Sequence, residues 1–249
     1  MDVVYTIWLR SMKRYVRSKS RMLGTLGMPL FFLLILGGGL NSMVNTGMGM
    51  SYMGFIIPGI VAMSVLFTSM FSGIQIIWDK QFGFLKETLV APISRLEIML
   101  GQTFGGATTA VIQGLLTLVI ALLIGSGLSI TLAGFLIAVG FMTLMGVAFT
   151  ALGIAFASKM DDMHGFQLIM NFFIFPIFGL SGALFPITSL PGWARNLTYL
   201  DPMTYAVQGI RYGLLGTSEI SPAVSFAVLM GFTVATMLLG QYLFKKTKV

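Results

Sequence analysis

Two short runs in this sequence have residue types and spacing that could carry chemistry. Gly179-Leu180-Ser181-Gly182 has the Gly-x-Ser-Gly pattern that can present an intramembrane serine nucleophile. Such a serine needs a base to take its proton. The single histidine, His164, precedes Ser181 by 17 residues. At about 1.5 Å of rise per residue the two would stand near opposite ends of one helix. The run Asp161-Asp162-Met163-His164 offers three metal-binding side chains in four residues. Three ligands so close along the chain rarely converge on one ion, and carboxylates just ahead of an apolar run suit a helix N-terminus. With Cys 0 and His 1, no thiolate or histidine cluster can form. The dipeptide Gly-Lys never occurs, so there is no Walker A lysine for a nucleotide. The sequence therefore assigns no catalytic, cofactor-binding or metal-ligating residue. Asn196-Leu197-Thr198 is a glycosylation sequon of the kind that arises often by chance.

The elements that would position any site are set by composition. Of 249 residues, 56% are hydrophobic and 9% charged, against about 25% charged in soluble domains. The mean hydropathy is +0.92. So little charge cannot solvate a water-soluble globule of this size, and so apolar a chain cannot stay disordered. The fold class expected is an all-α polytopic membrane protein. Charged residues leave gaps of 57 residues (Arg21 to Asp79), 61 (Glu97 to Lys159), 32 (Asp162 to Arg195) and 25 (Glu219 to Lys245). A helix needs about 20 residues to cross the hydrocarbon. The gaps thus hold two, two, one and one spans, split by turn-forming residues at 41–51 and 125–127. The six transmembrane helices are expected at roughly 22–41, 53–77, 97–124, 130–157, 164–184 and 222–244, within a single domain of 1–249.

Lys and Arg divide unevenly among the connections. The N-terminal segment, the 78–98 loop, Lys159 and the tail carry 13; the other side has Arg195 and Arg211. The positive-inside rule places the 13, and both termini, in the cytosol. The formal charge of +7 is then a topology signal, and no nucleic-acid partner is implied. The first apolar run is long enough to span and lacks a clear cleavage site, so it reads as a retained span. No charged residue lies deep in an expected span. That disfavours proton-driven transport and a charged filter, and fits a path for amphipathic cargo.

Three segments are not plain spans. Residues 1–21 form an amphipathic interface helix: Val4, Ile7, Trp8, Met12, Tyr15 and Val16 recur on one face. Arg10, Lys13, Arg14 and Arg17 fall mainly on the other, toward anionic lipid; a generic basic anchor is the alternative. In the 78–98 loop, Phe82, Leu85 and Leu89 share a helical face, with Lys86 off it. Pro92 stops that helix, and Ser94-x-x-Glu97 is a capping box opening the third span. A short cytosolic helix able to meet a partner is expected there, against a plain loop. In 164–221, Pro176 permits a break in the fifth span, followed by Gly179, Ser181, Gly182, Pro186 and Pro191. Pro191 opens a short helix carrying Trp193 and Leu197. Asp201-Pro202 opens another, through Leu215 and closed by Gly216. Trp193, Tyr199 and Tyr205 suit the headgroup level. A folded extracellular loop is the alternative. Gly101-x-x-x-Gly105 and Gly209-x-x-x-Gly213 permit close helix approach, inside the chain or between copies. The 19 Met residues are span filler or an adaptable cargo surface.

Two stretches resemble a known family. Asp79-Lys80-Gln81-Phe82-Gly83-Phe84-Leu85-Lys86-Glu87 with Leu89-Val90-Ala91-Pro92-Ile93-Ser94-Arg95 is similar to the cytosolic signature of ABC transporter type-2 permeases, in the daunorubicin-resistance and nodulation-export branch. The second stretch is Pro176, Leu180-Ser181-Gly182-Ala183-Leu184-Phe185-Pro186, Leu190-Pro191-Gly192-Trp193, Pro202-Met203-Thr204-Tyr205-Ala206 and Arg211. Gln81 and Gln208 depart from that pattern, standing where many relatives have Glu and Asp. The resemblance implies an export subunit in the inner (plasma) membrane, of prokaryotic origin, that pairs with a second permease copy and two ATP-binding cassette subunits. ATP and Mg would sit on the partner ATPase, and this chain would hold no cofactor and be no enzyme. Phe82, Gly83, Phe84, Leu85, Lys86 and Glu87 would lie in the coupling helix. Trp8, Arg10, Arg14 and Arg17 would lie in the connecting helix in contact with membrane lipid. Pro176, Ser181, Gly182, Pro186, Pro191, Trp193, Pro202 and Tyr205 would shape the outer gate. The cargo would be amphipathic, lipid-like or drug-like, moved by alternating access; the alternative function is a stand-alone secondary transporter or channel.

Overall fold

The computed structural model describes residues 2–39, 51–84, 93–124 and 130–246. Among them every regular element is helical. Helix α1, Asp2–Arg17, ends at Ser18, and α2, Lys19–Phe32, continues into a π-helical turn, Leu33–Gly38. The chain turns by 71° between the first helix and the second. Helix α3, Tyr52–Ser72, is separated by Gly73 alone from α4, Ile74–Gln81. Then come α5 (Arg95–Leu123), α6 (Leu132–Ala157), α7 (Met163–Leu180), a 3-10 turn (Ile187–Ser189), α8 (Gly192–Thr198), α9 (Pro202–Leu215) and α10 (Pro222–Lys245).

Five of these runs are long and apolar enough to cross a membrane: Tyr52–Gln81, Arg95–Leu123, Leu132–Ala157, Met163–Leu180 and Pro222–Lys245. The expected first span, 22–41, falls on α2 and the π turn. That segment reaches the same criterion only when joined to α1 across the bend. The physical reason is composition: it opens on Lys19 and Arg21 and closes on Gly37, Gly38 and Gly39.

Local signals set the helix starts. Ser94 and Glu97 form the reciprocal capping box, Ser94 Oγ accepting from Glu97 N and Glu97 Oε2 accepting from Ser94 N. Asp162 caps α7 through the amides of Gly165 and His164, which hold its carboxyl below the usual carboxylate range. Asp201 caps α9, Pro202 takes its first turn, and Gly216 closes it at φ 72°.

Helix α3 is apolar on every side and is the centre of the bundle. Its most apolar stretch, taken together with α4, is 83% buried, against 22% for α7. It packs on α5, α6, α9 and the π turn. Both Gly-x-x-x-Gly pairs are used inside the chain. A Cβ on Gly101 would lie 2.7 Å from Cβ of Ile7, and one on Gly105 the same distance from Cβ of Ser11, so α1 seats directly on α5. Gly209 and Gly213 admit Phe141 and the backbone of Gly134 and Ala138, so α9 seats on α6.

The break after the fifth span is not at Pro176. Helix α7 runs through Pro176 to Leu180. The chain reverses at Ser181–Gly182, where Gly182 takes φ 71° and Ser181 Oγ bonds back to Phe178 O. A single proline costs one helical hydrogen bond, whereas a left-handed glycine redirects the chain.

Candidate functional site

One end of the bundle gathers Arg10, Asp79, Lys80, Arg95, Asp161 and Lys245. At its centre is Asp79 on α4, 4% exposed. Arg10 grips it with two nitrogens, Nη2 to Oδ1 at 2.9 Å and Nη1 to Oδ2 at 3.4 Å. Gln75 Nε2 donates to Oδ1 at 2.7 Å, and Gln102 Nε2 to Oδ2 at 3.3 Å. A buried carboxylate requires this saturation. The same guanidinium lies 3.7 Å from the centre of the Phe84 ring. Arg10 thus ties α1 to the end of α4 and to the chain just beyond it.

The N-terminal helix therefore differs from the expected lipid-facing arrangement. Arg10 and Arg14 turn toward α4, Arg14 donating to Gln75 Oε1. Trp8 Nε1 donates to Thr108 Oγ1 at 3.0 Å, so its indole faces α5. Tyr15 donates to Gln113 Oε1 at 2.6 Å, and Gln113 Nε2 to Met22 O, fastening the elbow between α1 and α2. Arg17 joins Lys13 along the outer side of α1. The cause is Asp79: it needs a counter-charge, and the 71° bend brings α1 within reach.

Lys80 plugs the C-terminus of α6. Its Nζ donates to Ala157 O (3.3 Å), Ser158 O (3.0 Å) and Met160 O (3.0 Å), and pairs with Asp161 Oδ1 at 3.1 Å. A cation there satisfies orphan carbonyls and faces the negative helix end. Gln81 Nε2 donates to Asp161 O at 2.8 Å, a contact that a carboxylate could not make. Phe82 stacks on Trp78 with ring centres 5.2 Å apart. Phe82 is 71% exposed and Phe84 39%. Gly83, at φ 75°, ends α4. Leu85, Lys86 and Glu87 lie outside the described residues.

The opposite end is a hairpin of short helices on the tops of α3 and α6. Its anchor is Arg211, fully buried, whose Nη2 donates to Gly182 O at 2.9 Å. Its guanidinium lies 4.0 Å from the centre of the Phe55 ring. Tyr52 donates to Leu184 O at 3.0 Å, and a Cβ on Gly59 would sit 2.2 Å from Ala183 O. Glu219 accepts from Ile187 N and Gln208 Nε2, and returns its own N–H to Gln208 Oε1. Pro186 precedes the 3-10 turn and Pro191 caps α8. Trp193 is exposed, while Tyr205 donates to Tyr199 O. Burial pushes the Asp201 carboxyl up to about 7 against the pull of the Met203 amide. Pro176 lies within α7, ahead of the hairpin. The serine chemistry has no base here: Ser181 Oγ bonds backbone, and His164 sits at the far end of α7.

Helices α3 and α4 join the two ends. Tyr52–Gln81 forms a run of 30 residues, about 45 Å long at 1.5 Å per residue. It bears Tyr52, Phe55 and Gly59 against the hairpin and Asp79, Lys80 and Gln81 in the basic cluster. Sequence reasoning placed Lys80 and Arg211 in the two family-like stretches without giving either a contact, and it missed the Arg10–Asp79 pair. The available signals were a lone cation inside the apolar 202–215 segment and a lone acid closing the 57-residue uncharged run.

The chain matches the family described as ABC-2 type transporter over residues 2–215. It is 29% identical to the inner membrane transport permease YadH of Escherichia coli K12, over 94% of this chain and 91% of that protein. It is 27% identical to nodulation protein J of Rhizobium meliloti strain 1021, over 96% and 92% of the two chains. Nodulation protein J of Rhizobium leguminosarum bv. trifolii is 28% identical, over 96% and 93%.

Proposed function

Because this chain belongs to the ABC-2 type transporter family, we propose that it is the membrane permease subunit of an ATP-binding cassette exporter in the inner membrane. It has no nucleotide motif of its own, so ATP and Mg are held by a separate cassette subunit. Two copies of the permease form the path, and both termini face the cytosol with the basic end. Amphipathic, lipid-like or drug-like cargo leaves by alternating access. The hairpin at the opposite end forms the outer gate.

The observation that carries this reading is the stacked Trp78–Phe82 pair standing exposed at the basic end, next to Arg10 and Asp79. Exposed aromatics beside a saturated ionic cluster suit a docking anchor, because aromatic side chains dominate interface energetics. Phe82 is the anchor that inserts into the ATPase. Phe84 lies beneath Arg10 and relays the contact to α1. Lys86 acts at the rim, where charges tune rate and orientation.

The test compares Phe82→Ala with Lys86→Ala in the assembled complex. Phe82→Ala is expected to lose the co-purifying ATPase or its cargo-stimulated hydrolysis, with the permease still inserted; truncating a buried aromatic anchor costs ~2 kcal/mol or more. Lys86→Ala should change both far less. Unchanged co-purification and hydrolysis in Phe82→Ala would place the coupling element elsewhere.

A further inference from the structure

A chamber of about 300 Å³ lies between α1, α2, α3 and α5. Pockets that hold small ligands run from roughly 300 to 1,000 Å³. Its walls differ in character. On α3, Phe67 and Phe71 line it beside Thr68 and Ser72, and Met28 on α2 continues the apolar wall. On α5, Gln102 and Thr109 supply polar groups, and Gly105 and Gly106 between them leave room. The apolar wall has an opening. Met28 is 44% exposed, on the same helix as the exposed Leu23 and Phe31. A Cβ on Gly24, which also lines the chamber, would meet nothing within 4 Å.

The polar wall has spent its protons. Ser72 Oγ donates to Ser69 O at 2.6 Å and Thr109 Oγ1 to Gly106 O at 2.8 Å, each within its own helix. A hydroxyl bonded back in this way keeps its lone pairs for a second partner. Gln102 Nε2 donates to Asp79, and Gln102 Oε1 accepts nothing among the described residues. Thr68 Oγ1 makes no hydrogen bond among them. What α3 and α5 present to the chamber is therefore a set of acceptors, which a matching donor would satisfy.

The charges around the chamber are committed. Arg10 holds Asp79 through two nitrogens, and Arg14 bonds Gln75 and is engaged beyond it. Gln75 uses both ends of its amide, on Arg14 and on Asp79. Among the described residues no carboxylate lines the chamber. An ammonium head would meet no counter-charge there, and an anionic head would meet guanidinium groups already in use. Hydroxyl or amide N–H donors on an uncharged head match the acceptors without either cost.

We infer that the chamber binds an uncharged amphipath whose hydroxyl-bearing head donates to Gln102 Oε1, Thr68, Ser72 and Thr109, with its apolar chain laid against Phe67, Phe71 and Met28. The inference rests on the export reading and names the head chemistry of the cargo.

The test uses the full chain in discs of phosphatidylcholine and a dodecyl glycerol ether with a diazirine at the end of its chain. Light-driven insertion is mapped by mass spectrometry of the peptides. Saturable labelling at Met28, Phe67 and Phe71, displaced by unlabelled dodecyl glycerol, is expected. The di-O-methyl ether of the same compound has no donor and should bind about tenfold more weakly. The same chain ending in phosphate or in trimethylammonium should also bind more weakly than the diol. Thr68→Val removes one hydroxyl and keeps the shape; it should weaken binding about threefold to tenfold, with recovery in Thr68→Ser. Gly24→Leu, which fills the opening, should weaken it as well. Equal labelling by the diol and its dimethyl ether, preference for either charged compound, or undiminished labelling in folded Thr68→Val overturns the inference. Where Thr68→Val fails to fold, the ether control and Gly24→Leu decide in the same way. A second arm compares diacylglycerol placed in the disc with octyl glucoside added from water as competitors. Displacement by diacylglycerol supports a bilayer lipid as the source, and displacement by octyl glucoside alone a free amphipath; displacement by neither overturns the inference. Saturable labelling without stimulation of the cassette ATPase would keep this site and remove the export reading. Cargo-stimulated hydrolysis with no labelling would do the reverse.

Discussion

The α1–α4 contact at the basic end and the hairpin at the opposite end are held by different kinds of contact. At the basic end, the α1–α4 contact is made by one side chain gripping another: Arg10 with Asp79, Gln75 and Gln102 with the same carboxylate. At the opposite end, apart from the contacts of Gln208 and Thr188 with Glu219, side chains grip backbone. Arg211 holds Gly182 O, Tyr52 holds Leu184 O, Thr198 holds Leu180 O and Thr204 holds Thr198 O. A side-chain pair depends on two residues and can be re-formed by changing both. A side chain on a carbonyl depends on the whole local backbone path, so it forms or fails with the fold of the segment. The α1–α4 contact is therefore suited to adjustment by a partner, and the hairpin to opening as a unit.

The largest effect that would sharpen this contrast is expected from Arg211→Ala. It empties a fully buried site and orphans Gly182 O, costing on the order of 2–3 kcal/mol. Amide exchange should become fast across 203–215 together, while 95–105 on α5 keeps its protection. Equal loss at both ends would show that they do not behave separately. A smaller effect is expected from Arg10→Met, about 1–2 kcal/mol, because Arg10 is partly exposed to water. Here a second change should rescue: Asp79→Leu added to Arg10→Met should recover much of the lost thermal stability in lipid, since no unpaired charge remains. Additive loss in the double mutant would contradict the side-chain pairing described for this end.

Some of this architecture was legible from sequence. The Ser94–Glu97 box and the Asp201-Pro202 to Gly216 helix were readable because caps act over three or four neighbouring residues. The direction of Arg10 was not, because its partner lies 69 residues away. Helical periodicity places Arg10 on a face, but only the bend at Ser18 decides what that face meets. Pro176 was overread for a related reason: a proline announces a missing donor, and packing decides whether the helix stops. Lys80 reads from sequence as a topology charge only, because the carbonyls it meets lie 77 to 80 residues further along the chain.

The smallest expected effect concerns pH and the hairpin alone. Burial raises the Asp201 carboxyl from 3.8 to about 7. Between those values the closed hairpin binds more protons than the opened one. Its extra order is complete below about 4 and is lost as pH rises through about 7. After correction for intrinsic rates, exchange across 203–215 should be slower at pH 6 than at pH 8, by about tenfold. Asp201→Asn should flatten the dependence, and a dependence unchanged in that variant would assign it to another group.

The continuous α3–α4 run has a consequence in plain leverage. A rod of about 45 Å turning by 10° about its midpoint carries each end sideways by about 4 Å, in opposite directions. A displacement of that size exceeds what the 3.0 Å contact between Tyr52 and Leu184 O can follow, so the contact must break. The fulcrum is already crowded on one side, where a Cβ on Gly106 would meet Ser72 Oγ at 2.5 Å and one on Gly114 would meet Val65 at 2.7 Å. With Gly73 holding α3 and α4 in line, a push at one tip would be a release at the other.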